Sequence, residues 1–217
     1  MPKNVRVKIC GLSSRSTVLA AVEARADYLG FVFFPKSPRF VTPQQCSAIT
    51  KNIPKSVTKV ALVVDPDDVL LESILAYTSV DMIQLQGHET PERVEEVKQK
   101  TGLSIMKAVG LSERKDLSKI ESYVDVADQL LIDAAPPKES LLPGGNGVAF
   151  DWHLLKGQSW AIPWMLAGGL TSKNVTKALS ITGALQIDVS SGVENSPGQK
   201  DINKISSFVK NAKGLAS

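Results

Sequence analysis

A chain of 217 residues, 43% hydrophobic and 22% charged, is long enough to bury one sizeable core. A net charge of +3 with scattered lysines, and only 6% aromatic residues, argues against a nucleic-acid partner and against an aromatic RNA-binding sheet. No run approaches the about 18 apolar residues of a membrane span, MPKNVRVKIC lacks the apolar core of a secretory leader, and two cysteines make no disulfide framework, so a cytoplasmic protein without a membrane partner is expected.

Three dipeptides along the chain, Thr42-Pro43, Asp65-Pro66 and Thr90-Pro91, pair an N-cap residue with proline at the first helical position. They stand 23 and 25 residues apart, the length of one strand–helix unit. At that length the whole chain holds about eight units, the number in a closed (β/α)8 TIM barrel. The predicted strands are Val5–Cys10, Tyr28–Phe33, Thr58–Val64, Met82–Gln86, Ser104–Val109, Gln129–Asp133, Trp164–Ala167 and Leu185–Val189. Between them lie helical stripes of Val18, Leu19 and Val22, of Val69, Leu70, Ile74 and Leu75, of Val94 and Val97, and of Ile202, Ile205, Phe208 and Val209. No change of composition marks a second domain, so residues 1–217 are expected to form one barrel domain.

Successive side chains of a strand point to opposite faces. In the first strand Val5, Val7 and Ile9 oppose Arg6, Lys8 and Cys10. Likewise Gln84 and Gln86 in the fourth strand, Gln129 and Asp133 in the sixth, and Gln186, Asp188 and Ser190 in the eighth oppose aliphatic neighbours. The aliphatic set belongs against the helices, which turns the polar set toward the barrel axis, where barrel enzymes build their sites at the C-terminal ends of strands. Closure would set the first strand beside the eighth and bring Lys8 to Asp188.

Candidate chemistry gathers at those ends. Trp164 to Ala167 runs into Gly168-Gly169 with a helical pattern from Thr171, and Leu185 to Val189 runs into Ser190-Ser191-Gly192 with further helix from about Asp201. Glycine after a buried strand lets backbone approach a ligand, and the following helix N-terminus favours an anion, so the paired turns read as a phosphate cup. Cys10, at the rim of the first strand with Lys8 on the same face, is a candidate thiolate, whereas Cys46 beside Ile49 suits a buried helix face. Asp133 takes the equivalent rim position on the sixth strand, and the two make a candidate base and acid with no metal or cofactor. Arg39, in FPKSPRF, is a candidate grip for a carboxylate. The long segment AAPPKESLLPGGNGVAF, before a helix opening at Asp151-Trp152, suits a lid hinged at Gly144, Gly145 and Gly147. His88 and His153 with distant cysteines offer no metal site, and neither nucleophile-elbow nor P-loop patterns occur.

Taken in order, VKICGL (7–12), ADYLGFVFFPKSPR (26–39), IQLQGHE (83–89), LLIDA (130–134), PGGNGVAFDW (143–152), LAGGLTSKNV (166–175) and IDVSSGVENSPGQKD (187–201) resemble the phosphoribosylanthranilate isomerase family, a set of cofactor-free barrel enzymes of tryptophan biosynthesis. The resemblance implies an Amadori rearrangement of N-(5-phosphoribosyl)anthranilate to 1-(2-carboxyphenylamino)-1-deoxyribulose 5-phosphate. It makes Asp133 the general acid at the ribose ring oxygen, Cys10 the general base at the sugar C2, and Arg39 the holder of the anthranilate carboxylate. It gives the phosphate to Gly168, Gly169, Ser190, Ser191 and Gly192, with Asp188, Lys8 and Gln86 in support of the substrate. The expected partner is thus a small phosphoribosyl substrate, on a monomer or homodimer. Two positions depart from the family pattern. Gln86 stands where histidine is usual, and Val148 where GGTGKTFDW carries lysine. His88, two residues on, would then stand in part for the missing imidazole. Two other readings compete. The histidine-pathway aldose–ketose isomerase barrels use an aspartate base on the first strand and bind two phosphates, unlike Cys10 and the single cup; a non-catalytic phosphosugar-binding barrel would need neither Cys10 nor Asp133.

Overall fold

The computed structural model describes residues 4–135, 144, 147 and 150–215. Eight parallel strands close into a barrel in chain order: β1 (Arg6–Cys10), β2 (Tyr28–Val32), β3 (Thr58–Val63), β4 (Met82–Leu85), β5 (Ser104–Leu111), β6 (Gln129–Ala134), β7 (Trp164–Leu166) and β8 (Gln186–Val189). Among the described residues the outer helices are α1 (Arg15–Glu23), α2 (Pro43–Ile49), α3 (Asp68–Tyr77), α4 (Pro91–Thr101), α5 (Leu117–Glu121), α6 (Val175–Thr182) and α7 (Ile202–Lys213). A short antiparallel pair, β9 (Glu194–Ser196) and β10 (Gln199–Lys200), is inserted between β8 and α7.

Two helix starts follow the proline signature. Thr42 forms a reciprocal capping box with Gln45, and Thr90 caps α4 through the Arg93 N–H, each ahead of a proline at the first turn. The third does not. Asp65 adopts a left-handed conformation with φ 43°, and its carboxylate accepts the His88 N–H at 2.6 Å. The cap of α3 is Asp67, whose side chain accepts the Leu70 N–H. That offset turns Leu71 and Ile74 inward and leaves Val69 74% exposed, so the α3 stripe is narrower than its apolar spacing suggests. Leu19, Leu75 and Ile202 likewise reach solvent.

Later units depart further. Asp151-Trp152 opens a single 3-10 turn, Trp152–Leu155, instead of a full helix. After β7 the helix starts at Val175 rather than Thr171. The intervening turn is held by Asn174, which accepts the Thr171 N–H at 2.8 Å and donates to the Gly169 carbonyl at 2.9 Å. An asparagine side chain there offers the backbone an alternative to helix, which delays the helix start.

Among the described residues the barrel has two cores. Aliphatic side chains on the outer strand faces, among them Val7, Ile9, Leu29, Ile83, Leu130 and Ile187, pack under the helices. A second cluster of Tyr28, Val60, Met82, Met106, Ala108, Leu131, Met165 and Ala167 fills the barrel axis. The inward positions of β2, β3, β5 and β7 in this cluster are joined by Met82 of β4 and Leu131 of β6. Lys8 of β1, Gln84 of β4, Gln129 and Asp133 of β6, and Gln186 and Asp188 of β8 are polar residues that share the inward parity. At the N-terminal end the polar positions satisfy one another: Gln186 accepts from the Tyr28 hydroxyl at 2.8 Å and from Gln129 at 3.1 Å.

Candidate active site

Closure of the ring sets Lys8 in register with Asp188 across the β1–β8 seam. The fully buried Lys8 ammonium donates to Asp188 Oδ1 at 3.0 Å and to Gln84 Oε1 at 2.6 Å, as parity requires of three inward positions. Burial disfavours its charge, but Asp188 and the Cys10 thiol beside it outweigh that cost and hold Lys8 above its ordinary value. It is a fixed cation beneath the cavity, not a titrating one.

Cys10 stands above it at the C-terminal end of β1. With Gln84, Gln86, Arg39, Asp133, Asp188 and Ser190 it lines a cavity open to solvent. Burial pushes the Cys10 thiol up; Lys8 pulls it back down, Asp188 raises it and Lys200 lowers it. Cys46 is fully buried in α2 and pushed up to about 12 by burial, an inert thiol.

Asp133, on β6, faces the same cavity. Burial first, and then the Asp188 carboxylate, push it up to about 7. Opposing them are the Ala134 N–H at 2.8 Å, the Lys8 charge and the Gln86 amide, whose Nε2 donates to Asp133 Oδ2 at 3.3 Å. Gln86 is itself oriented by Gln84, which donates to its Oε1 at 2.5 Å. Gly144 closes over this pair: a Cβ there would lie 2.8 Å from both Asp133 Oδ2 and Gln86 Nε2. The result is a carboxyl group that changes charge near neutral pH, as a general acid must.

A second cavity opens from the first through Asp133, Gly144, Asp188 and Ser190, and its walls are Gly168, Gly169, Leu170, Ser191 and Gly147. Gly168 and Gly169 are both left-handed, with φ 86° and 62°. The serine turn continues as a three-residue 3-10 turn, Ser191–Val193. The two turns do lie side by side, though neither leads straight into a long helix, so backbone N–H groups and hydroxyls, more than helix dipoles, would receive an anion. Gly192 stands behind this cavity, where a Cβ would run into the Leu170 carbonyl oxygen. Gly192→Ala is therefore expected to push the turns apart, costing about 1–3 kcal/mol of stability and raising KM for a phosphorylated substrate more than it lowers kcat; an unchanged melting temperature and KM would remove the contact's importance.

Arg39 differs from a solvent-facing grip. It is 5% exposed and reaches across Gly11 to Glu194, which accepts from Nε at 2.7 Å and from Nη2 at 2.8 Å. It still lines the first cavity beside Ser37 and Phe34. Glu194 and Lys200, from the β9–β10 pair, were not singled out by strand parity, which covers only the eight barrel strands; their signal was a glutamate and a lysine spaced six residues apart just after the serine turn.

His88 does not enter the site. Its side chain is 96% exposed and lies 3.7 Å from Asp65. The cause is the buried Glu89 next to it: Glu89 pairs with Lys107 at 2.8 Å, and Lys107 also donates to the Gly87 carbonyl at 2.8 Å, so the loop turns Glu89 inward and His88 outward. The Gln86 position therefore has no imidazole substitute. Val148 and Gly145 lie outside the described residues. Among those described, no three His, Cys, Asp or Glu side chains gather as a metal site, and no helix is long and apolar enough to cross a membrane.

The family model for N-(5'-phosphoribosyl)anthranilate (PRA) isomerase matches residues 7–211. The N-(5'-phosphoribosyl)anthranilate isomerase of Paracoccus denitrificans is 55% identical over 208 residues, 96% of this chain and 97% of that protein. The crystal structure of phosphoribosyl anthranilate isomerase from Thermotoga maritima aligns with a TM-score of 0.87 at 34% identity, covering 97% of this chain and all of that one. A crystal structure of the same enzyme type in complex with reduced 1-(o-carboxyphenylamino)-1-deoxyribulose 5-phosphate aligns with a TM-score of 0.82 at 32% identity, again over 97% and 100% of the two chains.

Proposed function

This chain belongs to the N-(5'-phosphoribosyl)anthranilate isomerase family, and on that premise we propose that its barrel mouth carries out the Amadori rearrangement of N-(5-phosphoribosyl)anthranilate with Asp133 as acid and Cys10 as base. The observation that carries the reading is the single cavity lined by Cys10, Asp133 and Arg39 that opens, through Asp188 and Ser190, on the cup of Gly168, Gly169 and Ser191. A substrate with a carboxylate at one end, a phosphate at the other and a ribose between them spans that path.

Asp133 gives its proton to the ribose ring oxygen as the C1–O bond breaks, leaving a C1 iminium. The Cys10 thiolate then removes the C2 proton. The C2–H electrons form the C1–C2 double bond of an enolamine, and the iminium electrons return to nitrogen. A proton then adds to C1 while the C2 hydroxyl loses its own. The O–H electrons form the C2 carbonyl and the C1–C2 double-bond electrons form the new C1–H bond, which leaves the 2-ketone. Asp188, 3.0 Å from the Lys8 ammonium, faces the same cavity as a fixed acceptor for a sugar hydroxyl. Gln86 holds the Asp133 carboxyl, and Arg39, kept in place by Glu194, takes the anthranilate carboxylate.

Purified protein mixed with freshly prepared N-(5-phosphoribosyl)anthranilate is expected to consume its fluorescence at an enzymatic rate, and to leave the two-phosphate aminoimidazole substrate of the histidine-pathway barrels unchanged. No turnover of the first, or faster turnover of the second, would replace this reading with a competitor.

A further inference from the structure

The mouth of the barrel buries a second ammonium, that of Lys200, which has no part in the proposed proton transfers. The Lys200 side chain is 1% exposed and the Glu194 side chain 2%. Glu194 Oε1 accepts from Lys200 Nζ at 2.6 Å as well as from Arg39 Nε at 2.7 Å. The same ammonium donates to the Ser190 carbonyl at 3.0 Å and to Ser190 Oγ at 3.2 Å. Ser190 Oγ in turn donates to the Cys10 carbonyl at 3.2 Å. One run of contacts thus joins the loop that carries Arg39, the turn that borders the anion cup, and the backbone of Cys10.

The charges around the thiol come from several elements: Lys8 on β1, Asp188 on β8 and Lys200 on β10 act on it, while Asp133 of β6 and Arg39 of the β2–α2 loop line the same cavity. Lys8 is committed to Asp188 by a direct ion pair. Lys200 shares its carboxylate with Arg39, so Glu194 neutralises it less completely than a private partner would. Burial lowers Lys200 below its ordinary ammonium value, and Glu194, first among the groups that oppose burial, sustains its charge. An ammonium whose counter-ion is shared projects more of its field onto its neighbours.

We propose that Lys200 is a positioning residue for this reaction: it pins the Ser190 turn against Cys10 and supplies positive charge behind the thiol, while Glu194 limits that charge and fixes Arg39. The proposal rests on Cys10 being the base. A structural pin for the β9–β10 pair would need the same contacts but would not make the thiol respond to charge. Glu194 agrees with the electrostatic account: burial raises it, but Arg39 and Lys200 together hold it below the ordinary carboxylate range.

The test titrates the Cys10 thiolate by its absorbance at 240 nm, as a difference against Cys10→Ser, without substrate. Cys46, at about 12, stays protonated through the range used. Lys200→Met is expected to move the Cys10 midpoint up by about one pH unit, and Glu194→Gln to move it down, because one removes a nearby cation and the other unmasks it. The kcat/KM plateau should fall about tenfold in Lys200→Met, following the thiolate fraction, and KM should rise in Glu194→Gln as Arg39 loosens. Lys200→Gln, which keeps a donor for the Ser190 carbonyl without the charge, gives the same upward shift if the methionine variant does not fold. An unmoved midpoint in a folded Lys200 variant, or shifts of one sign in both Lys200 and Glu194 variants, overturns the proposal. Midpoints that move as stated in a protein without isomerase turnover would instead sink the assigned reaction and leave the electrostatic coupling standing.

Discussion

Asp133→Asn is expected to lower kcat by roughly 10²- to 10⁴-fold, the range for removing a general acid, and at the same time to make the folded chain more stable at pH 8. The two effects share one cause. In the native chain the Asp133 carboxyl rises from 3.8 to about 7, chiefly through burial and the nearby Asp188 carboxylate. A group whose folded value is raised contributes its stability fully below its unfolded value, and that contribution is lost as pH climbs through the folded value. The window is therefore pH 4 to 7. At about 1.4 kcal/mol per pH unit, the wild type loses up to about 4 kcal/mol across it. That figure is an upper bound, because Asp133 also faces the open cavity. Asparagine carries no charge and escapes the loss. It meets a smaller penalty of its own, since an amide nitrogen facing Gln86 Nε2, now 3.3 Å from Asp133 Oδ2, sets donor against donor. The net gain at pH 8 should be on the order of 1–3 kcal/mol, and near zero or negative at pH 4. Chemical denaturation at the two pH values checks it. Equal destabilisation at both would mean the carboxyl is not held under this electrostatic load.

The barrel and the cavity that Cys10 and Asp133 line together were legible in the sequence for a physical reason. A parallel barrel needs aliphatic outer faces on every strand, so polar residues of opposite parity, such as Lys8, Gln84, Asp133 and Asp188, can only point inward. The Lys8–Asp188 contact followed from closure alone. What parity could not reach were groups delivered by loops. Glu194 and Lys200 come from a hairpin whose pairing is set by tertiary contact with Arg39 and Ser190. His88 was misplaced for a related reason: two residues beyond β4 its direction is decided by the buried Glu89–Lys107 pair, which no spacing rule shows. Helix starts failed where side chains competed for the backbone, at Asp65 and at Asn174.

Cys10→Ser should cost kcat roughly 10²- to 10⁴-fold, and the pH profile of the wild type should show why the thiol is so sensitive to its surroundings. Burial holds Cys10 above its ordinary thiol value, while Asp133 lies at about 7. The proposed reaction needs the thiolate together with the protonated acid. With the thiol the weaker acid of the two, that combination is the minor form of the singly protonated pair. Its population climbs with pH up to about 7, stays level between the two titrations, and falls once the thiol is fully ionised. The profile of kcat/KM should therefore be bell-shaped, with its rising limb near 7 and its falling limb above the ordinary thiol value, each an apparent value of the pair rather than of one residue. In that regime the height of the plateau is the ratio of the two ionisation constants. Anything that makes Cys10 more acidic raises the plateau, up to the point where the thiol and Asp133 titrate together. Lys8 beneath the thiol and Lys200 behind it both act in that direction. Stopped-flow or steady-state fluorescence over pH 5 to 10 would decide it. A profile flat through that range, or a serine variant within tenfold of wild type, would end the assignment of proton abstraction to Cys10.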